Sequence, residues 1–356
     1  MIVVGIYISR DHIYGIKTSL ASGEYDASLG HKLADRVLSQ TTLAASAKVN
    51  KLSGKAIRDI AKKLMADGIV PDEISIACFG PFASLDKDDD GPALSYGEIS
   101  PDAHFTSFRG FSLKVRFEQA FKEHGVNAEI TVQTDVAASG IAEWSIRGRS
   151  SVRCLDKNIF IKNENLVFLT FCGGVGGVAI DKSGRPINGV LHPEMGQIAI
   201  EKHASDIASG FEGICPHHDD CLEGMACEGA FFSRFKKNPN SFEEIAHDTQ
   251  NEAWDIHAFY VAQLCVAATL LFSPTLIVLG GDVFREKHFL RRVRRHFFKR
   301  LGGKDSKAFA WYHLLERDDG FLQTPSLPEP GVVGAACIPA MSIGSGSVSR
   351  IGQLND

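Results

Sequence analysis

L-H-P-E-M-G-Q at 191–197 and, eighteen residues beyond Gln197, C-P-H-H-D-D-C-L-E-G at 215–224 carry the most readable chemistry of the chain. They set three side chains of metal-ligand type, Cys215, His218 and Cys221, between two carboxylates, Glu194 and Glu223. Zn²⁺ prefers thiolate and imidazole in a tetrahedron, and C-x2-H-x2-C wraps a single ion with no strand or helix between its ligands. The competing reading is a free-thiol loop with polar histidines. Cysteines this tightly spaced in a reduced chain favour the metal. A fourth ligand is missing from the cluster and has to come from elsewhere.

Outward from this stretch, the composition is that of a soluble globular protein. The chain has 356 residues, 44% of them apolar and 23% charged, enough for two domains or one large α/β body. A formal charge of −5 leaves no basic footprint for nucleic acid. The one basic run, R-R-V-R-R-H-F-F-K-R at 291–300, reads as the solvated face of a helix whose Val293, Phe297 and Phe298 point inward. Eight scattered cysteines, an N-terminus without a signal-peptide pattern and no apolar run of membrane-span length point to a cytoplasmic protein with reduced thiols.

Residues 2–8 read as a buried strand with 13–20 as its hairpin partner, followed by a helix over 51–67 and a strand over 74–81 that ends in a Gly80-Pro81 turn. A polar loop spans 85–107, and a helix over 112–124 leads to strand 129–134, after which Asp135 opens a small-residue helix. A second hairpin opens at 166–172, turns at G-G-V-G-G and resumes over 178–184. An apolar helix over 251–272, a strand over 273–282 and a small-residue helix near the end complete the pattern. Two hairpin openings, each followed by helices and strands, predict duplicated α/β halves.

The motif H-P-E-M-G followed by G-I-C-P-x-H-x-D-C-L-E-G closely resembles the ROK family of sugar kinases, and within it the bacterial fructokinase branch. The resemblance extends over 74–82, 135–144, 166–230, 258–283 and the G-V-V-G-A-A end. It implies a two-domain ribonuclease-H-like (actin/hexokinase-type) α/β fold with the substrate cleft between domains. The expected small domain is 1–142 plus the C-terminal helix 331–345, and the larger domain is 143–330. It also implies ATP-dependent phosphorylation of a hexose, fructose first, with Mg²⁺ accompanying the nucleotide, a structural Zn²⁺ and a homodimer.

Residue by residue, the segment Q-T-D-V-A-A-S-G-I-A-E-W aligns with the family's D-T-D-V-N-A-A-A-L-G-E, which makes Asp135 the catalytic base. On spacing alone Asp135 reads equally as an ordinary helix N-cap. By resemblance Glu194 and Glu223 accept hydrogen bonds from sugar hydroxyls, with His192 and the Gly80-Pro81 turn beside them. Gly173, Gly174 and Gly176 stand in the first nucleotide loop and Gly280 and Gly281 in the second.

Four departures stand against this pattern. Gln197, a poor zinc ligand, replaces the histidine that completes the family's zinc site, leaving His217, His203, His192 or a water as the fourth ligand, or else a weak or empty site. Cys172 and Gly173 replace the first Gly and the Thr of the family's phosphate loop. Asp282 adds a carboxylate after Gly281, which repels phosphate unless Mg²⁺ bridges them. At the N-terminus, Tyr7, Ser9, Arg10, Asp11 and His12 stand where the family has an acid and Gly-Gly-Thr-Lys. Lost glycines weaken a backbone cradle for phosphate. The alternative expectation is therefore a pseudokinase that binds sugar without transferring phosphate, as a sensor or partner subunit. A DNA-binding repressor of the same family is not expected, because the chain opens directly on its first strand.

Overall fold

The computed structural model describes residues 2–9, 12–19, 45–48, 53–82, 96–101, 103, 108–147, 152–156, 159–162, 164–188, 192–235, 239, 241–301, 315 and 320–342. The expectations for Arg10, Asp11, most of the 85–107 loop and 343–345 fall outside them. The chain forms two compact units, one of residues 1–146, 182–192 and 327–356, the other of 147–181 and 193–326. Residues 182–192, which the sequence reading placed in the larger domain, fall in the first unit, and so does His192.

The first unit is built on a five-stranded sheet of order β3-β2-β1-β4-β5. Its strands are β1 (Ile2–Ile8), β2 (His12–Ser19), β3 (Ala45–Lys48), β4 (Glu73–Cys78) and β5 (Glu129–Thr134). The β1–β2 hairpin is antiparallel, whereas β1, β4 and β5 run parallel with Ile8 opposite Cys78 and Cys78 opposite Thr134. The carboxyl ends of three strands therefore lie along one edge. Helix Gly54–Leu64 starts on Ser53, whose side chain accepts from the Ala56 N–H, and buries Ile57, Ile60, Ala61 and Leu64. That spacing is one helical stripe, and the cap contributes about 1 kcal/mol. The terminal helix Pro330–Ser342 lies against β1 and β4, with the Ser75 hydroxyl donating to the Ala335 carbonyl.

The second unit repeats the plan. After the separate hairpin β6 (Val152–Asp156) and β7 (Ile159–Lys162) come β8 (Leu166–Phe171), β9 (Val175–Ile180), β10 (Leu276–Gly280) and β11 (Leu322–Gln323). The order is β11-β10-β8-β9, with β8–β9 antiparallel and β8, β10 and β11 parallel. Hairpin on one side and parallel strands on the other is the arrangement of the first sheet, so the duplicated halves expected from the two hairpin openings are present. One boundary shifts: β9 begins at Val175, so Gly176 and Gly177 lie in the strand opposite Thr170 and Leu169 rather than in the turn.

An apolar helix and an amphipathic basic one pack into this unit's core. Helix Glu252–Phe272 caps on Asn251, and Trp254, Tyr260, Val261 and Cys265 along it are fully buried. At 21 residues it is long and apolar enough to cross a membrane, which corrects the expectation that no segment reaches that length. Its burial in the core accounts for the composition. In helix Lys287–Arg300 Val293 and Phe297 are fully buried and Phe298 only partly, while Arg291, Arg295 and Lys299 face solvent.

Candidate active site and metal centre

Asp135 and the Gly80-Pro81 turn follow the carboxyl ends of neighbouring parallel strands, the edge where open α/β sheets bind ligands. Thr134 Oγ1 accepts the Ala137 N–H at 3.0 Å, so Thr134 caps the helix. Asp135 is its first residue, and its Oδ1 accepts the Val136 N–H at 2.9 Å. The carboxyl is pushed up to about 6, chiefly by burial, against the opposing pull of its backbone hydrogen bonds and of His192. Neighbouring Cys78 is pushed well up by its own burial and then by the charge of Asp135.

His192 joins this group from a distant part of the sequence. Its Nε2 lies 3.0 Å from the position of a β-carbon on Gly80, and its ring is 5.6 Å from that of Phe82. The Gly80-Pro81 bond is cis. Asp135, His192, Gly80 and Pro81 thus form one cluster in the first unit. The β1–β2 turn leaves the same edge: Ser9 N–H donates to the His12 carbonyl at 2.9 Å, and the Ser9 hydroxyl accepts the His12 N–H at 3.1 Å. Tyr7, where the resemblance expects an acid, lies against Gly331 and 6.1 Å from the Tyr14 ring.

In the second unit Glu223 is held by two donors. Its Oε2 accepts the Val175 N–H at 2.8 Å and its Oε1 accepts from Gln197 Nε2 at 3.2 Å. Gly174 makes the first contact feasible, because a β-carbon there would stand 2.8 Å from Oε2. Glu194 is exposed and precedes the 3₁₀ turn Met195–Gln197, its carbonyl accepting the Gln197 N–H at 3.0 Å. Gly173 and Gly174 follow β8 and Gly280 closes β10, so these loops leave one edge, as in the first sheet. Gly281 has φ +113°, and a β-carbon on it would come within 2.1 Å of the Phe171 carbonyl, so only glycine fits. Asp282 lies 3.1 Å from the Arg285 guanidinium, which offsets part of the added negative charge.

Cys215, His218 and Cys221 place their ligand atoms within 4.8 Å of one another, the one such group among the described residues. Both cysteines are nearly fully buried and His218 is exposed. The loop closes on itself through mutual Cys215–Asp219 backbone bonds, Asp219 taking φ +47°, and Cys221 occupies the N-cap of helix Leu222–Ala226. Burial pushes the Cys221 thiol up. Two sulfurs and an imidazole converging on one point suit Zn²⁺, so the donor set fits. None of the other histidines named for the fourth place joins the group. His203 caps helix Ala204–Ser209 with Nδ1, and His217 lies beside His218 with ring centres 6.3 Å apart. The residue that does reach the cluster is Gln197, whose Oε1 lies 2.8 Å from His218 Nδ1.

A network outside the sequence reading braces this loop. Arg234 donates from Nε and Nη2 to the two oxygens of Asp206 at 3.1 and 2.8 Å, and the Tyr260 hydroxyl donates to Asp206 at 2.6 Å. A buried Asp in a short helix and a Tyr inside an apolar helix give no distinctive spacing, and only an Asp-Arg pairing across the metal loop would have signalled it.

The ROK family model matches residues 55–320. Fructokinase of Streptococcus mutans is 30% identical over 259 residues, 73% of this chain and 76% of that protein. Fructokinase of Lactococcus lactis is 32% identical over 228 residues, 64% of this chain and 68% of that protein. Among solved structures, the ROK hexokinase of Thermus thermophilus superposes with a TM-score of 0.66 at 17% identity, over 97% of this chain and all of that one. The fold is the two-domain actin/hexokinase-type α/β fold, and the chain belongs to the ROK family.

Proposed function

We propose that the chain is a sugar kinase that transfers the γ-phosphoryl group of ATP to a hydroxyl of a hexose, fructose in the first place, with Asp135 as the base. The observation that carries this reading is the state of Asp135. Thr134 performs the capping, and burial lifts the Asp135 carboxyl to about 6, close to the pH at which a base must take up and release a proton. The family and the two fructokinases support the reaction class and the choice of fructose.

In this mechanism Asp135 accepts the proton of the attacking hydroxyl as its oxygen bonds to phosphorus and ADP departs. Gly80, Pro81, His192, Glu194 and Glu223 orient the sugar. Carboxylate oxygens suit this task because each accepts from adjacent hydroxyls, and Glu223 arrives already oriented by Val175 and Gln197. Gly173, Gly174, Gly176, Gly280 and Gly281 hold the nucleotide phosphates. Mg²⁺ arriving with ATP would neutralise charge on the phosphates. Cys215, His218 and Cys221 would hold a structural Zn²⁺, which would crosslink the loop leading into Glu223. The proposed setting is a homodimer in the reducing cytoplasm, in keeping with the free cysteines among the described residues. The binding-only pseudokinase alternative draws no support from the fructokinase relatives.

The test is ADP release from Mg-ATP by purified protein across a hexose panel led by fructose, with Asp135→Asn as control. Sugar-dependent turnover lost in the variant is the expected result. Silence across the panel in folded protein would overturn the reading.

A further inference from the structure

We propose that Gln197 supplies the fourth ligand of the metal centre through its side-chain oxygen, and that the same amide links the metal to Glu223. Three distances locate this oxygen. Gln197 Oε1 lies 3.7 Å from Cys215 Sγ, 3.6 Å from Cys221 Sγ and 2.8 Å from His218 Nδ1. Around Zn²⁺, with bonds of about 2.3 Å to sulfur and about 2.0–2.1 Å to nitrogen or oxygen, the edges of the tetrahedron run roughly 3.3–3.8 Å. Both sulfur distances fall within that range. An atom occupying the metal's own position would stand roughly 2.0–2.3 Å from all three donors. The amide oxygen therefore does not fill the metal's own position: it stands at edge distance from both sulfurs, while its 2.8 Å contact with His218 Nδ1 is a hydrogen bond that has to lengthen by about 0.5 Å to become an edge of the tetrahedron.

The orientation of the amide is fixed by its other end. Nε2 donates to Glu223 Oε1 at 3.2 Å. A flipped amide would set its oxygen against that carboxylate and turn its NH₂ toward three groups that are themselves donors when protonated, so the hydrogen-bond pattern assigns the oxygen to the cluster. Without a metal, that one oxygen faces two thiols and an imidazole with only two lone pairs to offer, so it cannot serve three donors at once. Zn²⁺ removes the surplus. It takes the two thiolates, whose charges it cancels, together with two neutral ligands. Glutamine conserves the charge of the histidine that the family pattern places there, whereas a glutamate would add one.

Coordination through the oxygen draws electron density from the amide and strengthens its N–H as a donor to Glu223. The carboxylate is thereby held from two sides, by Gln197 and by the Val175 N–H. A carboxamide oxygen is also a weaker ligand for Zn²⁺ than imidazole, so this centre binds its ion less tightly than one completed by histidine.

The experiment is a zinc competition titration against a chromophoric chelator on purified full-length protein, with X-ray absorption at the zinc edge. It compares the native chain with Gln197→Ala and Gln197→His, each checked for folding by circular dichroism. The native chain should bind one zinc in a shell of two sulfurs, one nitrogen and one oxygen. Gln197→Ala should lose affinity by on the order of 10-fold or more. Gln197→His should gain a comparable factor, with the shell becoming two sulfurs and two nitrogens. Should the alanine variant fail to fold, the histidine variant decides alone. The proposal is overturned if zinc does not bind the native chain, or if both substitutions leave its affinity within about twofold. The readout is metal affinity, so its failure leaves the kinase reading standing, and failure of the kinase assay leaves this test intact.

Discussion

Thr134 caps the helix that Asp135 begins: its Oγ1 takes the Ala137 N–H at 3.0 Å, and the Asp135 carboxyl accepts the Val136 N–H at 2.9 Å and its own backbone N–H. A carboxylate that is neither the cap nor salt-bridged, and that burial lifts to about 6, costs stability. In the proposed base its charged form is the working form. As pH falls through about 6, the carboxylate is protonated and kcat/KM should fall, approaching tenfold per pH unit. Asp135→Asn should lower turnover by roughly 10²–10⁴. A steady-state pH profile flat between pH 5 and 8 would remove Asp135 from the role of base.

The stability of the same variant has the opposite sign. The native carboxyl is raised from 3.8 to about 6, so between those values the folded state binds more protons than the unfolded one and stability falls as pH rises. Below 3.8 both states are protonated and the cost vanishes. At 1.36 kcal/mol per pH unit the full cost is roughly 3 kcal/mol, and relaxation of the site reduces the expected gain to about 1–3 kcal/mol. Asp135→Asn should thus melt higher than the native chain at pH 7.5 and about equally at pH 3. Differential scanning calorimetry at the two values checks it, and a lower melting point at pH 7.5 would show that the charge is stabilised rather than tolerated.

Gly174→Ala tests the hold on Glu223. The new β-carbon would stand 2.8 Å from Glu223 Oε2, so the carboxylate has to leave the Val175 N–H. If Glu223 binds sugar hydroxyls equally in the ground and transition states, KM for the sugar should rise on the order of 10-fold with kcat little changed. A fall in kcat at constant KM would instead assign this loop to the nucleotide end of the reaction.

The central strands of both sheets are legible in the sequence as short apolar runs, as at Ile74–Pro81 and Leu276–Gly281, whereas the edge strands β3 and β11 and the β6–β7 hairpin, which carry no long apolar run, escape the sequence reading. Asp135 is legible as a candidate, but its freedom from capping is not. Asp and Thr are both good N-caps, and the choice between adjacent residues rests on backbone geometry. His192 reads as a neighbour of Glu194, yet it packs on Gly80, a contact that no local spacing encodes. The residue type of Gln197 argues against a metal role, and only the position of its oxygen argues for one. Gly176 shows the reverse error: glycine signals a turn, but here it sits in a strand opposite Thr170.

Arg234 and Asp206 bracket the segment carrying Cys215, His218, Cys221 and Glu223, and their pair closes the base of that loop. Asp206 is 2% exposed, and its charge is met by the bidentate guanidinium and the Tyr260 hydroxyl, which in turn accepts the His203 N–H at 2.9 Å. Burial, followed by the bond to Asp206, pushes the Tyr260 hydroxyl well up, so it remains a donor at every working pH. Arg234→Met keeps much of the side-chain volume but strands the carboxylate, and such losses cost about 3–5 kcal/mol. Adding Asp206→Asn should return part of that stability, because the stranded charge is then gone. Urea unfolding of the three variants measures the difference. If Arg234→Met alone costs less than about 1 kcal/mol, the pair is solvated rather than buried, and the rigidity of the metal loop has to come from its own backbone bonds between Cys215 and Asp219.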